Sequence, residues 1–523
     1  MFIKIAMLVV FFAIMIVVGF MCRNKSDSVN GFVLGGRNVG PWLTAFAYGT
    51  SYFSAVIFIG YAGQFGWKYG VASTWIGLGN AFIGSLLAWV LLGRRTRLMT
   101  QHLGSATMPE YFGNRFGSGK LRTVASLIVF IFLIPYTASL YNGLSRLFES
   151  AFGIDYAWCV VIMSVLTGIY VIAGGYMATA VNDFIQGIIM LVGIVVVIAA
   201  VLNDNGGFMA SMAELSKITA ESNPELNGAF TSFLGPEPLA LFGVVLLTSL
   251  GTWGLPQMIG KFYAIKNESA ISKGTIISTF FAIVVAGGCY FMGGFGRLYA
   301  DTIAYNPNTG APVYDSIVPS MLQGLPDVIV AIVIMLVLSA SMSTLSSLVL
   351  TSSSTLTLDM IVPLRKKETT QKSQMLIIRV LLVFFIVISA AIAIIQTKSS
   401  VTFIAQLMGI SWGALAGAFL APYLISLYSK KVTKASVWVS FVSGVGIMVA
   451  NMICTFAGVP FINGFFSSPI NAGVLAMVVG LVIVPVVSLF TKKPDKAEVD
   501  RMFECYDRTI TVKASTSLED EVK

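Results

Sequence analysis

Apolar positions in this chain cluster in long blocks, separated by short stretches of charge, glycine and proline. About 20 consecutive apolar residues are the length at which a helix crosses a hydrocarbon core. Thirteen blocks meet that description: 3–21, 41–65, 73–92, 124–144, 157–173, 184–202, 239–258, 275–295, 327–350, 376–395, 401–425, 436–455 and 471–490. In lipid the backbone must satisfy its own hydrogen bonds, so these blocks are predicted as helices rather than isolated strands. Two blocks read poorly as continuous helices. Block 41–65 carries Gly49-Thr50-Ser51 and then Gly60 and Gly63, and block 239–258 carries Gly251-Thr252-Trp253-Gly254-Leu255-Pro256. The two lie five blocks apart, so one inverts the topology of the other. Interrupted helices in corresponding halves are the sign of a binding site in an inverted-repeat transporter, although small residues also serve close helix packing.

Composition supports a membrane class. The 523 residues are 56% hydrophobic and 11% charged, with a mean hydropathy of +0.84. A soluble domain carries about 25% charged residues. The net charge of +9 does not indicate nucleic acid. With the N-terminus placed outside, only Lys4, Lys68, Arg146, Lys217, Arg297 and Lys398 of the 33 Lys and Arg fall on the outer side. This asymmetry predicts a multi-pass protein of an inner or plasma membrane, N-terminus outside and C-terminus cytosolic. The first block is expected to be a retained helix. It has a weak basic start and is followed by Cys22-Arg23-Asn24-Lys25 rather than a small-residue cleavage site.

Several chemistries are excluded. Cys22, Cys159, Cys289, Cys454 and Cys505 form no paired spacing, and His102 is the single histidine. The stretch Gly113 to Leu121 imitates a phosphate loop, but its glycine spacing is wrong and Leu121 stands where a hydroxyl would hold magnesium. No catalytic cluster indicates an enzyme. A channel would need a filter-like repeat, and a transporter-shaped sensor would carry a large signalling domain after the last block.

Hydroxyls crowd block 327–350 in Ser339-Ala340-Ser341-Met342-Ser343-Thr344-Leu345-Ser346-Ser347. Such oxygens suit a hard cation, and they equally suit bonding to the helix's own carbonyls. Asp183 precedes block 184–202. It is either an intramembrane functional carboxylate or a helix-starting residue at the cytosolic interface.

The chain resembles the sodium/solute symporter family, which includes sodium/proline, sodium/sialic acid and sodium/galactose carriers. The resemblance runs from Leu34-Gly35-Gly36-Arg37 to at least residue 430. It rests on Gly40-Pro41-Trp42-Leu43-Thr44-Ala45, Met108-Pro109-Glu110-Tyr111-Phe112, Arg146-Leu147-Phe148-Glu149-Ser150, Gly174-Gly175-Tyr176 and Met342-Ser343-Thr344-Leu345-Ser346 in order. It implies an all-α membrane protein of 13 transmembrane helices with a LeuT-like core of two inverted five-helix repeats. The organisation would be a first helix and inner loop (1–40), a first repeat (41–202), an outer loop (203–238), a second repeat (239–425), two peripheral helices (426–490) and a cytosolic tail (491–523). The implied function is symport of a small organic solute with Na+ as the coupling ion, by alternating access.

Carried over residue by residue, the family's principal sodium site falls on the carbonyls of Thr50, Phe53 and Ala340 and the hydroxyls of Ser343 and Thr344. A second sodium, present in some members, would use Asp183, Ser346 and Ser347. Substrate-facing candidates are Tyr52, Ser54, Trp75, Ser249, Thr252 and Trp253, with packing or interfacial roles open to both Trp. Sodium/proline carriers have an Asp where this chain has Tyr52, and aromatic contacts where it has Thr248 and Thr252. The sialic acid carriers' arginine has no counterpart in block 124–144. With no Arg or Lys evident at the centre, a neutral or zwitterionic solute is expected. Coupling to protons instead of sodium would rest on Asp183 alone.

Overall fold

The computed structural model describes residues 2–23, 28–307, 310–365, 369–396 and 404–507. Lys398, the first residues of block 401–425 and residues 508–523 of the tail lie outside the described residues. Among the described residues ten helices are long and apolar enough to cross a membrane, or eleven if one bent pair forms a single span. In chain order the structure runs α1 (Phe2–Met21), α2 (Pro41–Tyr52), α3 (Val56–His102), α4 (Gly119–Phe152), α5 (Tyr156–Asp204), α6 (Pro238–Leu250), α7 (Pro256–Tyr263), α8 (Glu268–Gly293), α9 (Asp327–Leu364), α10 (Gln371–Ile395), α11 (Gln406–Tyr428), α12 (Lys434–Phe456), α13 (Pro469–Phe490) and α14 (Lys496–Phe503). The connections 203–238 and 297–326 carry the short helices Phe208–Ser216 and Tyr314–Met321.

Two helices are far too long for one crossing at 1.5 Å per residue: α3 has 47 residues and α5 has 49. Each is interrupted at a glycine with positive φ, Gly70 (60°) and Gly175 (53°). A side chain at Gly175 would place its Cβ 2.8 Å from the Phe32 carbonyl, so both backbone angle and space demand glycine there.

The core is a bundle built around α9, which packs on α5, α4 and α2. Helix α2 is wedged among α5, α8 and α7, while α11 lies against α4 and the 251–254 turn and carries α12 and α13 on its far side. The wedge holds two chain breaks. Helix α2 stops because Phe53 is extended (φ −87°, ψ 124°), and helical bonding resumes at residues 57 and 58, which both donate to Ser54. Helix α6 passes through a 3₁₀ turn, Gly251–Gly254, to Leu255, again extended, and α7 starts at Pro256 with a 48° bend. The cause is local: a residue before proline avoids the helical region, and proline suits a first helical turn.

Glycines let backbones touch where α3 meets the end of α8. A Cβ on Gly66 would lie 1.9 Å from the Gly293 carbonyl oxygen, and one on Gly293 would lie 2.2 Å from that of Ala62. Such contacts are how helices associate in lipid, where burial of apolar area supplies little drive. On the polar side, α14 docks on the helix ends. The Tyr506 hydroxyl donates to the Arg95 carbonyl, Arg95 lies over the rings of Tyr428 and Tyr506, and Arg115 faces Phe503. Gly66→Ala is expected to cost about 1–3 kcal/mol through overpacking, read as a lowered melting temperature of the purified protein. Gly446→Ala, where no atom stands within 4 Å, should leave it unchanged.

Candidate functional site

The break after α2 leaves backbone carbonyls without partners one turn ahead, at a depth where water is absent. The last regular bond is the Phe53 amide donating to Gly49. The hydroxyl-rich stretch of α9 faces this break. Ser343 Oγ lies 3.1 Å from the carbonyls of both Thr50 and Ala340. Thr344 Oγ1 lies 3.0 Å from Ala340 O, 3.3 Å from Thr50 O, 3.3 Å from Phe53 O and 3.5 Å from Ser51 O. All five expected residues, Thr50, Phe53, Ala340, Ser343 and Thr344, are buried together. Two hydroxyls have two protons to donate, and at the break they face the carbonyls of Thr50, Ser51 and Phe53, besides that of Ala340 in their own helix. A surplus of buried oxygens over protons is what a desolvated cation satisfies.

The neighbouring hydroxyls divide. Ser341 Oγ donates to Val337 O and Ser346 Oγ to Ser343 O, each along its own helix. Ser347 reaches across, its Oγ 2.8 Å from Ser51 Oγ. It also accepts from Lys261 Nζ at 2.9 Å, and that ammonium stands 3.5 Å from Asp183 Oδ2. Both charged side chains are almost fully enclosed, 3% and 1% exposed.

Two expectations change here. Asp183 does not start a helix: it lies inside α5, two turns past the Gly175 kink. And a lysine is present near the centre after all. Lys261 escaped notice because block 239–258 ends before it. Pro256 restarts the helix, and so carries Lys261 along α7 into the core. The signal was available, since proline opens helices as readily as it ends them. Lys261 is the nearest oppositely charged group to Asp183, and the two are buried as a pair.

The substrate-facing candidates gather on the other side of the α2 break, with one exception. The Tyr52 hydroxyl donates to Thr248 O at 2.8 Å, and its ring lies 5.9 Å from that of Trp412, which meets Tyr136 edge-on. Ser249 and Thr248 both donate to Asn80 Oδ1 at 3.0 Å. Thr252 Oγ1 donates to Ser249 O, and Trp253 Nε1 to Ile83 O. Several buried polar atoms here make no hydrogen bond of regular geometry among the described residues: Ser54 Oγ and Trp412 Nε1, which both neighbour the Tyr136 hydroxyl, and Asn80 Nδ2, which neighbours the Tyr290 hydroxyl. Unsatisfied groups are costly in a dry interior, and their concentration around Tyr52 makes this the candidate region for a polar solute. Trp75 is the exception. It is 36% exposed on the flank, its ring against Phe233 and its Nε1 donating to Phe233 O.

Asn80, Tyr136, Trp412 and Tyr290 were not anticipated. An Asn inside an apolar block is a signal, because amides are expensive at that depth. Nothing in the sequence separates the three aromatics from packing residues.

Residues 32–444 match the Sodium:solute symporter family. The chain belongs to that family. It is a membrane transporter that couples solute uptake to Na+, and not an enzyme. It is 30% identical over 496 residues to sodium/proline symporters of Staphylococcus aureus strains JH9 and NCTC 8325, spanning 93% of both chains. Its fold matches the substrate-bound, outward-open structure of a Na+-coupled sialic acid symporter with a TM-score of 0.75 at 18% identity. That match covers 94% of this chain and 99% of the other. The symporter is thus an all-helical, multi-pass membrane protein whose cargo is a small solute together with sodium.

Trp75→Ala is expected to leave sodium activation and solute affinity of the symporter within about twofold, since it touches neither cluster. If the solute binds beside Tyr52, Trp412→Leu should weaken solute affinity roughly tenfold by removing the neighbouring ring and one buried donor. It should leave sodium binding in the absence of solute unchanged. Uptake kinetics and sodium-22 binding on the purified variants check both.

Proposed function

We propose that the symporter carries one small neutral or zwitterionic organic solute inward by alternating access. Sodium binds at the Thr50, Phe53, Ala340, Ser343 and Thr344 oxygens, and the solute beside Tyr52, Ser54, Ser249, Thr252 and Trp253. The surplus of carbonyls over hydroxyl protons at the α2 break carries this reading. The sodium and solute regions share α2, so filling one orders the chain that lines the other, which is the linkage that coupling requires.

A neutral or zwitterionic solute follows from the groups around Tyr52. The polar atoms there are hydroxyls, an amide and an indole, and Lys261 is already paired with Asp183. Proline is the first solute to test, because the relatives at 30% identity are sodium/proline symporters. Tyr52, Thr248 and Thr252 depart from the residues those carriers use, so other amino acids and sugars belong in the same panel.

We read the architecture as 13 crossings, dividing α3 at Gly70 and α5 at Gly175. Two inverted LeuT-like repeats (41–202 and 239–425) follow an initial helix and precede two peripheral ones. The charge asymmetry supports an outside N-terminus and cytosolic C-terminus.

Uptake of labelled proline, other amino acids and sugars into proteoliposomes tests the proposal. Accumulation of one of them is expected only with an inward sodium gradient, and uptake indifferent to sodium would end it. Ser343→Ala and Thr344→Ala are each expected to raise the sodium concentration for half-activation at least tenfold while leaving the melting temperature within a few degrees. Each deletes one ligand of an ion that carbonyls alone hold poorly. Normal sodium activation in both variants would remove the site from this break.

A further inference from the structure

Lys261 is held as a free ion would be held. Its ammonium is hydrogen-bonded to the Ser347 hydroxyl, faces the Asp183 carboxylate, and lies 5.3 Å from the centroid of the Tyr176 ring. A hydroxyl oxygen, a carboxylate and an aromatic face are each groups that a monovalent cation takes. Neither charge of a buried pair is tolerated without the other. The groups expected to hold a second sodium are therefore engaged with a cation that belongs to the chain.

We infer that Lys261 is a tethered cation filling the second cation position, so that Asp183 and Ser347 take no sodium and each chain binds a single sodium ion. The inference rests on the reading of Ser343 and Thr344 as a sodium site and adds the stoichiometry.

Three further observations support it. Ser346, the third expected ligand, directs its proton to Ser343 O at 2.9 Å along its own helix and is not part of the Asp183–Lys261–Ser347 chain of contacts. Ser347 Oγ is engaged on both sides, by Lys261 and by Ser51 Oγ. And a sodium arriving here would put two monovalent cations against one enclosed carboxylate, where like charges repel strongly. A small cavity lined by Tyr176, Thr179, Gln257, Lys261 and Ser347 borders the position on one side. Because Lys261 stays with the protein, it gives Asp183 its counter-charge without drawing on the sodium gradient.

The test counts sodium-22 bound at saturation by the purified full-length protein, and needs no solute. Wild type is expected to bind one ion per chain. Lys261→Met, which keeps the length of the side chain and removes its charge, should bind two, and Lys261→Met with Asp183→Asn should return to one. Lys261→Arg, which restores a tethered cation, should also bind one. Two ions in wild type would overturn the inference by themselves, whether or not any variant folds. One ion in a Lys261→Met protein with native-like melting would overturn it as well. No bound sodium in wild type would instead overturn the sodium site at Ser343 and Thr344, and the inference with it.

Discussion

A backbone carbonyl inside a bilayer has no water to turn to, and this protein's central design follows from that constraint. Over most of its length the helical ladder answers it. At Phe53 and Leu255 the ladder is deliberately stopped, and the freed groups must find partners in side chains or cargo. Helix α9 supplies the partners, yet with fewer protons than there are oxygens to receive them. The shortfall is small and local. It leaves oxygens at the break of the kind a bound cation would satisfy without any formal charge on its ligands, which is the basis for proposing the sodium position there.

Charge is handled a few ångströms away by a separate device. Asp183 and Lys261 cancel each other inside the protein, and Ser347 links the pair to Ser51 beside the broken helix. The arrangement keeps a carboxylate linked to the broken helix while leaving the dry interior close to neutral. Burial of such a pair seldom adds stability over a well-packed apolar pair, which points to selection for something other than folding.

Much of this was legible in the chain. The apolar blocks located the crossing helices, and the disruptive dipeptide Leu255-Pro256 and the Gly49-Thr50-Ser51 stretch marked both breaks. The hydroxyl-rich end of α9 was read with two meanings left open, and both occur. Ser341 and Ser346 bond along their own helix, while Ser343 and Thr344 reach across. Which hydroxyl does which depends on where α2 lies around α9, a tertiary fact with no local signature. Lys261 was misplaced for the converse reason: hydropathy ends a span at the first charge, whereas helix geometry carries it onward past Pro256. Tyr136 and Trp412 were invisible, because an aromatic that packs beside the broken helix and one that fills a core elsewhere look alike in one dimension.

The bare backbone contact between α3 and α8 has a mechanical consequence. Where Gly66 meets Gly293 and Gly293 meets Ala62, no side chains lie between the two helices to slide or change rotamer. The close-packed surface has a single seating, so α3 and α8 behave there as one strut. In the alternating access proposed above, any rocking would therefore have to shear along other seams, with this strut moving as a unit.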